Sequence, residues 1–326
     1  MGRKVRRKKN SKRKKILLLI VFVIIAVVIG RCSTSHQKAD TRVIGYLPTW
    51  YFQELDSIDM SCLTHLNLAF INPDKNGDLH CSLADENIRR IVRKAHRHDV
   101  SVLAALGGGG GYANYTELIS GKASMKEFNE KIIDYVTTHD MDGIDLNIEG
   151  DVEPEFWQYY DAWVKDLARK CRKENLVLSC AVASWFDNYI TDETLDRFDF
   201  ISVMAYDNKG DSEGHSTYDF AVRQLDYFSS RNIPDSKLVL GVPFYGYRYE
   251  NGVCTGKVVT YREVAVYNED SEYADESGTC RYNGISTITE KAKLSEDYGG
   301  IMIWCLGQDA SGSASLLRAI DAALNE

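Results

Sequence analysis

The chain is poor in proline and lacks the short motifs that bind metals. Its 326 residues include 5 prolines and 24 glycines, and no Cys-x-x-Cys, His-x-x-x-His or His-Glu-x-x-His motif occurs. So little proline excludes collagen-like and proline-rich disordered chains. Without those motifs we expect no metal, and the sequence implies no cofactor. Hydrophobic residues make up 44% of the chain and charged residues 26%, which is typical of a domain with a folded core.

One end of the chain lacks acidic residues. Residues 1–31 contain 11 of the 39 lysines and arginines and no aspartate or glutamate. The rest of the chain contains the other 28 basic residues and all 47 acidic ones, which gives it a net charge of −19. Nucleic-acid binding requires positive charge to neutralise phosphates, so we expect the body of the protein to bind no nucleic acid.

A long apolar run follows the basic N-terminal residues. It covers residues 16–30, which is shorter than the roughly 20 residues that cross a bilayer as a helix. Basic residues before an apolar segment are typical of an export signal. We favour an uncleaved membrane anchor over residues 1–31, with lipid attachment at Cys32 or signal cleavage as alternatives. The sequence then predicts a polar linker over residues 32–41 and a domain that faces the periplasm or the cell surface.

The predicted domain has an odd number of cysteines. Of the eight, seven remain once Cys32 is set aside, which argues against a disulfide framework. Cys180 and Cys305 lie in apolar runs, so we expect them in the core. Cys254 and Cys280 flank one polar loop, and we expect either one disulfide or two free thiols there.

Short apolar runs rich in β-branched and aromatic residues recur eight times after the linker. They lie at residues 43–48, 63–72, 100–108, 143–149, 176–184, 200–207, 238–246 and 300–306. Segments with helical periodicity lie between and after them, most clearly at residues 86–98, 125–139, 155–173, 220–231 and 314–324. Near-continuous apolar runs are typical of parallel strands covered on both faces. The pattern predicts an α/β fold, a (β/α)8 TIM barrel over residues 42–326, with an open doubly wound sheet as the alternative.

The connection before the eighth run is longer than one helix requires. Residues 247–298 are polar and carry Asp270, Glu272, Asp275 and Glu276 close together. We interpret this stretch as an excursion from the barrel between its seventh and eighth strands.

The fourth apolar run carries acidic residues on one face. Asp145, Asn147 and Glu149 are two positions apart, so in a strand they share a face, while Ile144 and Ile148 lie on the other. Unpaired carboxyl groups are costly in a packed core, and barrel active sites lie at the C-terminal ends of the strands. The pattern therefore indicates an active site at the end of this strand. We expect repulsion between Asp145 and Glu149 to keep one of them protonated, as a general acid requires.

This run resembles the DGxDxDxE signature of glycoside hydrolase family 18, the chitinases and endo-β-N-acetylglucosaminidases. Asp142, Gly143, Asp145 and Glu149 match the signature, and Asn147 stands where the family normally has its third aspartate. Other segments resemble the family in order along the chain, at Tyr46, Phe70 and residues 107–108, 204–207, 243–246 and 299–304.

The resemblance implies a retaining mechanism in which the substrate's own 2-acetamido carbonyl attacks the anomeric carbon. It implies that Glu149 is the general acid and base, within a catalytic group that includes Asn147, Asp145, Asp142 and Tyr206. The substrate-binding residues that it implies are Tyr46, Phe70, Met204, Asp207 and Trp304. The bond to be cleaved is then a β-1,4 linkage next to N-acetylglucosamine, in chitin oligosaccharides or an N-glycan core.

Asn147 is the departure from the signature that bears most on activity. An amide oxygen accepts a hydrogen bond but supplies no negative charge to a positively charged intermediate. We therefore expect reduced but real hydrolysis. The alternative is a catalytically weak or inactive lectin that binds chitin or another glycan on the same barrel.

Overall fold

The structure is a computed structural model that describes the chain from Thr41 onward with short gaps. The described residues are 41–111, 113–149, 152–185, 189–210, 213–267 and 270–326. The predicted anchor and nearly all of the linker lie outside these residues. Within them, every helix is too short or too polar to cross a membrane.

Parallel strands close into a barrel, and we number them barrel strands 1 to 8 along the chain. Each strand pairs with the next, and strand 8 closes the ring by pairing with strand 1. They lie at Arg42–Pro48, His65–Ala69, Ser101–Gly107, Gly143–Asn147, Val177–Val182, Phe200–Met204, Leu238–Pro243 and Gly300–Trp304. Each of the eight apolar runs coincides with one of these strands, the first strand beginning one residue before its run, so the predicted (β/α)8 barrel is confirmed.

Helices pack around the outside of the barrel. They lie at Asp85–His96, Tyr115–Ser120, Lys122–Thr138, Pro154–Glu174, Asp192–Leu195, Tyr218–Ser229, Tyr261–Val264, Ile285–Leu294 and Leu316–Ala323. All five helices expected from periodicity are present, with their ends shifted by a few residues. In helix Asp85–His96 the apolar residues recur with helical period because they form one buried stripe against the barrel, made of Ile88, Ile91, Val92 and Ala95.

The connection between barrel strands 7 and 8 contains a folded insertion, which we define as residues 245–284. Its four-stranded antiparallel sheet has the spatial order Val253–Thr260, Tyr245–Glu250, Cys280–Arg281, Glu276–Ser277. The sequence located this excursion but missed its sheet and the helix that follows. The signal that could have found the sheet is alternation, since Tyr245, Tyr247 and Tyr249 are buried while Arg248 and Glu250 are exposed.

Cys254 and Cys280 are free thiols rather than a disulfide. They lie on the two strands that flank Tyr245–Glu250 on opposite sides. Neighbouring strands are about 4.8 Å apart, so two spacings exceed the roughly 7 Å that a disulfide can bridge between Cα atoms. Cys180 and Cys305 are buried, as expected.

Alternate side chains of the barrel strands point outward to the helices or into the barrel. In strand 4, Ile144 and Leu146 belong to the outer apolar layer between strands and helices. The side chains that point inward include a buried polar set, Asn67, Asp145, Ser179 and Ser202. The barrel interior therefore combines this polar set with buried apolar side chains such as Ile44, Leu103 and Met302.

Candidate active site

A cleft of about 590 Å³ lies at the C-terminal ends of the barrel strands. Its lining includes seven of the ten residues predicted for the site, namely Phe70, Asn147, Glu149, Met204, Tyr206, Asp207 and Trp304. Thr49, Trp50, Asn72 and Tyr245 also line the cleft, and the sequence did not assign them to the site. Barrel enzymes carry their active sites at this end of the fold.

Asp145 and Tyr46 lie one layer deeper in the barrel than the cleft. Tyr46 Oη donates a hydrogen bond to Asp145 Oδ2 at 2.5 Å, and Ser179 Oγ donates to Oδ1 at 2.6 Å. The carboxyl group is fully buried. Burial raises the pKa of Asp145 to about 6, although both hydrogen bonds favour the ionised form. Protein groups thus hold both oxygens of Asp145 in place.

Asn147 presents an unpaired amide oxygen at the cleft. Its side chain is 2% exposed, and Oδ1 has no hydrogen-bond partner among the described residues. A buried polar atom without a partner costs about 1–3 kcal/mol, a cost that a ligand N–H or O–H in the cleft can remove. Because residue 147 is an amide, it brings no charge to this position.

Two glycines let barrel strand 3 end close to Asn147 and Phe70. Gly107 has φ +102° and Gly108 has φ +84°, a backbone region that favours glycine. A Cβ on Gly107 would lie 2.2 Å from the backbone oxygen of Asn147, and one on Gly108 would lie 2.4 Å from the Phe70 ring. Gly108 N also donates to the Asn147 backbone oxygen at 2.6 Å. These glycines therefore fix the backbone that carries Asn147.

Glu149 brings a titratable carboxyl group to the cleft from the end of barrel strand 4. Burial raises the pKa of Glu149 to about 7, and the negative charge of Asp207 adds to the rise. The sequence predicted Asp145 as the charged neighbour, and the structure has Asp207 there instead. With this pKa, both protonation states are populated near neutral pH, which suits a group that gives and later takes a proton.

Asp207 is held by two tyrosines of the insertion and by a histidine. Tyr245 Oη and Tyr247 Oη donate to Asp207 Oδ1 at 2.5 and 2.8 Å. The Asp207 backbone N–H donates to His215 Nδ1 at 3.2 Å, and His215 Nε2 donates to the Tyr245 backbone oxygen at 3.1 Å. Burial raises the pKa of Asp207, but His215 and the two hydroxyl groups outweigh burial and lower it. Asp207 is therefore an ionised neighbour of Glu149.

Two of these Asp207 partners lie outside every segment that the sequence assigned to the site. Tyr247 opens the predicted excursion, and His215 lies in the connection after barrel strand 6. Tyr247 reaches Asp207 from the insertion, 40 residues along the chain, whereas His215 reaches it by a local turn of the connection, eight residues along the chain. Sequence spacing carries no signal for that approach.

Aromatic rings form one wall of the cleft. Trp304, the last residue of barrel strand 8, stacks with Phe70 at a centroid distance of 5.7 Å and an interplanar angle of 25°. The buried ring of Tyr46 lies 5.3 Å from Trp304. Tyr206 is 6% exposed and packs edge-on against Tyr245 at 6.2 Å. Flat apolar faces next to polar groups suit a ligand that has one apolar face and a polar rim.

Asp142 lies at the opposite end of barrel strand 4 and does not line the cleft. Its Oδ2 accepts hydrogen bonds from the Val102 backbone N–H at 2.7 Å and from His96 Nε2 at 2.8 Å. Extended chain between Asp142 and Glu149 spans on the order of 20 Å. The predicted catalytic assignment of Asp142 is therefore corrected, since its contacts join helix Asp85–His96 to the barrel.

The cleft combines a carboxyl group with a pKa near neutrality, an ionised carboxylate, an unpaired amide oxygen and aromatic faces. Such a set can transfer protons and hold a polar ligand against an apolar surface. Among the residues that the structure describes, no group of three or more histidines, cysteines, aspartates or glutamates is placed to hold a metal ion.

The model of the family described as glycosyl hydrolases family 18 matches residues 42–309. The chain belongs to this family. Solved structures agree with that membership. The family 18 chitinase ChiB from the chitin utilization locus of Flavobacterium johnsoniae is 33% identical, with 87% of this chain and 94% of that chain covered and a TM-score of 0.80. A chitinase from Bacteroides thetaiotaomicron is 28% identical, with 87% and 96% covered and a TM-score of 0.78.

Among curated proteins, this family 18 chain is similar to a much longer relative. Probable chitinase 10 from Drosophila melanogaster is 25% identical over 86% of this chain. The match spans only 16% of the length of that relative. Membership in family 18 confirms the resemblance first drawn from the signature at residues 142–149.

Proposed function

We propose that this family 18 domain hydrolyses β-1,4 bonds next to N-acetylglucosamine by a retaining, substrate-assisted mechanism. The observation that carries the proposal is Glu149, a carboxyl group in the cleft whose pKa is raised to about 7. Family 18 is among the glycosidase families in which the substrate supplies the nucleophile. One titratable carboxyl group at the reacting bond is then sufficient.

The reaction has two steps. In the first, Glu149 donates its proton to the glycosidic oxygen as the bond from that oxygen to the anomeric carbon breaks. The carbonyl oxygen of the 2-acetamido group forms a bond to the anomeric carbon from the opposite face, which gives an oxazolinium ion. In the second, water attacks the anomeric carbon, the Glu149 carboxylate takes the proton of that water, and the bond to the acetamido oxygen breaks. Two inversions give net retention of configuration.

The other residues of the cleft position the reacting sugar. We assign Tyr206 Oη to the acetamido oxygen and the unpaired Asn147 Oδ1 to the acetamido N–H. Trp304 lies beneath the apolar face of the sugar, and Met204 and Asp207 shape the pocket around the acetamido group. An amide at residue 147 leaves the positive charge of the oxazolinium ion without a counter-charge there, so we expect slow turnover.

Three further residues, Phe70, Tyr46 and Asp145, support this set. Phe70 stacks on Trp304, and Tyr46 donates to Asp145. We assign to the first contact the role of fixing the position of the Trp304 ring, and to the second the role of fixing the strand 4 backbone next to the substrate.

We propose chitin oligosaccharides as the main substrates, because the similar proteins from Flavobacterium johnsoniae and Bacteroides thetaiotaomicron are named chitinases. An N-glycan core offers the same N-acetylglucosamine chemistry and is the second candidate. From the N-terminal sequence alone we also propose that the domain acts outside the cytoplasm, where such polymers occur.

Product analysis by mass spectrometry tests the proposal. The full-length chain and its Glu149→Gln variant are incubated with chitin oligosaccharides and, separately, with an N-linked glycopeptide. Glu155→Gln is the matched control, since Glu155 is exposed in the helix that follows barrel strand 4. We expect cleavage of chitin oligosaccharides by the wild type and by Glu155→Gln, and none by Glu149→Gln. Cleavage that survives Glu149→Gln would contradict the assignment of the general acid.

Glycan binding without hydrolysis is the second candidate function, and Asn147 is the observation that favours it. The same incubations distinguish the two. Binding of chitin oligosaccharides by the wild type without any cleavage supports the lectin, whereas cleavage rejects it.

A further inference from the structure

Lys291 is a fully buried lysine in helix Ile285–Leu294, and the proposed mechanism does not use it. The residue is 0% exposed. Lysine is almost never fully buried unless it is paired, because removing a charge from water is costly. Burial lowers the pKa of its ammonium group to about 7, against the opposing effect of Asp275. A lysine at this position therefore has to be explained by what its ammonium group holds.

The Lys291 ammonium group has three hydrogen bonds, one for each of its N–H groups. Nζ donates to the Ser216 backbone oxygen at 2.7 Å, to Ser216 Oγ at 2.8 Å and to Asn283 Oδ1 at 2.7 Å. Ser216 lies in the connection after barrel strand 6, and Asn283 lies in the insertion. Both are buried. We call Lys291, Ser216 and Asn283 the lysine cluster, which joins two separate segments to helix Ile285–Leu294.

The lysine cluster adjoins the backbone that carries Asp207. Ser216 Oγ donates to the Ala205 backbone oxygen at 2.6 Å, two residues before Asp207. His215 precedes Ser216 and accepts the Asp207 backbone N–H at Nδ1. Its backbone oxygen accepts the Asn208 N–H at 3.0 Å. Residues 215 and 216 therefore hold the chain on both sides of Asp207, and the buried ammonium group holds residue 216.

The backbone of Asp207 needs such contacts. Its φ is +66°, in the left-handed region that few residues other than glycine adopt. Conformations of this kind persist where the surrounding structure holds them. The position of the Asp207 carboxylate matters for the chemistry, because its charge raises the pKa of Glu149 and that effect depends on the distance between the two groups.

We propose that Lys291 is a positioning residue for Asp207. It acts through Ser216 and His215 and is not part of the cleft lining. Because the charge that acts on Glu149 is that of Asp207, a change in the titration of Glu149 in a Lys291 variant has to come through Asp207. This inference rests on the proposed function for its effect on rate and adds a residue to it.

Lys291→Met tests the proposal in the full-length chain. Methionine fills similar space, and a buried ammonium group costs free energy that methionine does not. Ser216 keeps its hydrogen bonds from Asn283 Nδ2 at 2.8 Å and to the Ala205 oxygen, so we expect a folded protein in which Asp207 is less firmly held. We expect kcat/KM for chitohexaose to fall about fivefold. The falling limb of its pH profile is expected to move lower by about half a unit.

Two comparisons separate positioning from general structure. Lys293→Met removes an exposed ammonium group from the same helix, where it pairs with Glu326, and is expected to change neither the rate nor the limb. In the Asp207→Asn background, Lys291→Met is expected to add a loss of less than about twofold and no shift of the limb, because groups that act through one another are not additive. The same loss in both backgrounds, or a limb that stays in place in Lys291→Met alone, would overturn the proposal.

Ser216→Ala is the second variant, for the case that a denaturant titration shows Lys291→Met to be unfolded. It removes one acceptor of the ammonium group and the donor to the Ala205 oxygen, so the limb is expected to move in the same direction. A limb that stays in place in Ser216→Ala, or a loss of folded protein in both variants, would mean that the lysine cluster serves the fold and not Asp207.

Failure of the proposed function gives a different pattern. If the wild type cleaves no chitin oligosaccharide, a ¹³C NMR titration of the Glu149 carboxyl group replaces kinetics, with the signal assigned by its absence in Glu149→Gln. A Glu149 pKa that is lower in Lys291→Met than in the wild type, with no such decrease in the Asp207→Asn background, rejects hydrolysis and retains Lys291 as a positioning residue. A Glu149 pKa that Lys291→Met leaves unchanged overturns the positioning role as well.

Discussion

The two ends of barrel strand 4 carry acidic residues from the same signature and use them differently. At the N-terminal end, Asp142 is 37% exposed and accepts hydrogen bonds from His96 and Val102. At the C-terminal end, Glu149 lies in a cleft beside Asn147, whose buried Oδ1 lacks a protein partner in the described structure. The first end satisfies its polar groups within the protein, and the second leaves polar groups available to a ligand.

Asp145, between these ends, shows that burial alone does not mark a reactive group. It is fully buried, yet Tyr46 and Ser179 hydrogen-bond its two oxygens. Buried polar groups normally have such partners. The residues to associate with chemistry are therefore those of the cleft lining that either bury a polar atom without a protein partner, as Asn147 does, or have a pKa that burial shifts toward neutrality, as Glu149 does.

The largest expected effect comes from removing the acid at the C-terminal end. Glu149→Gln is expected to lower kcat for chitin oligosaccharides by about 10²- to 10⁴-fold, the usual contribution of general acid–base catalysis. Its folding should be preserved, because a neutral amide replaces a carboxyl group whose ionised form is disfavoured by burial. Kinetics and a denaturant titration measure both. If the fall in kcat were matched by a loss of folded protein, Glu149 would be a structural residue, as Asp142 is at the other end of barrel strand 4.

The second effect tests the amide at residue 147. Asn147→Asp restores a negative charge next to the positively charged intermediate and is expected to raise kcat by about tenfold or more. Steady-state rates with the same oligosaccharide measure it, with Asn251→Asp as a control that adds the same charge at an exposed amide of the insertion. An unchanged or lower rate in Asn147→Asp would show that the missing charge does not limit turnover.

The third effect is a change in pH dependence. Glu149 must be protonated to act as the acid, so kcat/KM is expected to fall as the pH rises above about 7, the raised pKa of this group. Asp207→Asn removes a negative charge that raises this pKa, so the falling limb is expected to move to lower pH, by about one unit. The position of the limb in a pH profile is the measurement, because Asp207→Asn also lowers the rate itself. A limb that stays in place would mean that burial alone sets the pKa.

The smallest expected effect comes from replacing Asp142, at the N-terminal end of barrel strand 4. Asp142→Asn is expected to lower the free energy of unfolding by about 1 kcal/mol, because it weakens hydrogen bonds to a charged acceptor that is partly exposed. Catalysis should be unchanged. Denaturant midpoints measure the difference against Asp140→Asn, whose carboxyl group is 93% exposed and 3.9 Å from His96. A tenfold loss of kcat/KM in Asp142→Asn would return this residue to the catalytic group.

Much of the fold could be predicted from the sequence because local patterns specify it. Each barrel strand is an apolar run, and each long helix has an apolar stripe, so strand and helix order follow from residue period alone. The sheet of the insertion could not be predicted in this way. Two of its strands, at residues 276–277 and 280–281, are only two residues long, which is too short for any period to be visible.

Part of the candidate site could be predicted as well. The alternation of Asp145, Asn147 and Glu149 places them on one face, because side chains of a strand alternate between faces. The alternation does not show how far along the strand each side chain lies from the cleft. Only the register of the barrel shows that Asp142 and Asp145 pair with protein groups while Glu149 emerges in the cleft.

The sequence by itself determined the barrel, the face of strand 4 that carries the acids, and the amide at residue 147. The tertiary structure decided which acid influences Glu149 and what surrounds it. Tyr247 and His215 meet Asp207 across 40 and 8 residues of chain, and Lys291 meets Ser216 across 75. Patterns in a sequence indicate contacts between near neighbours along the chain. The electrostatic interaction energy between two groups in a cleft depends instead on the distance between them in space and decreases as that distance grows. Only folding fixes these distances.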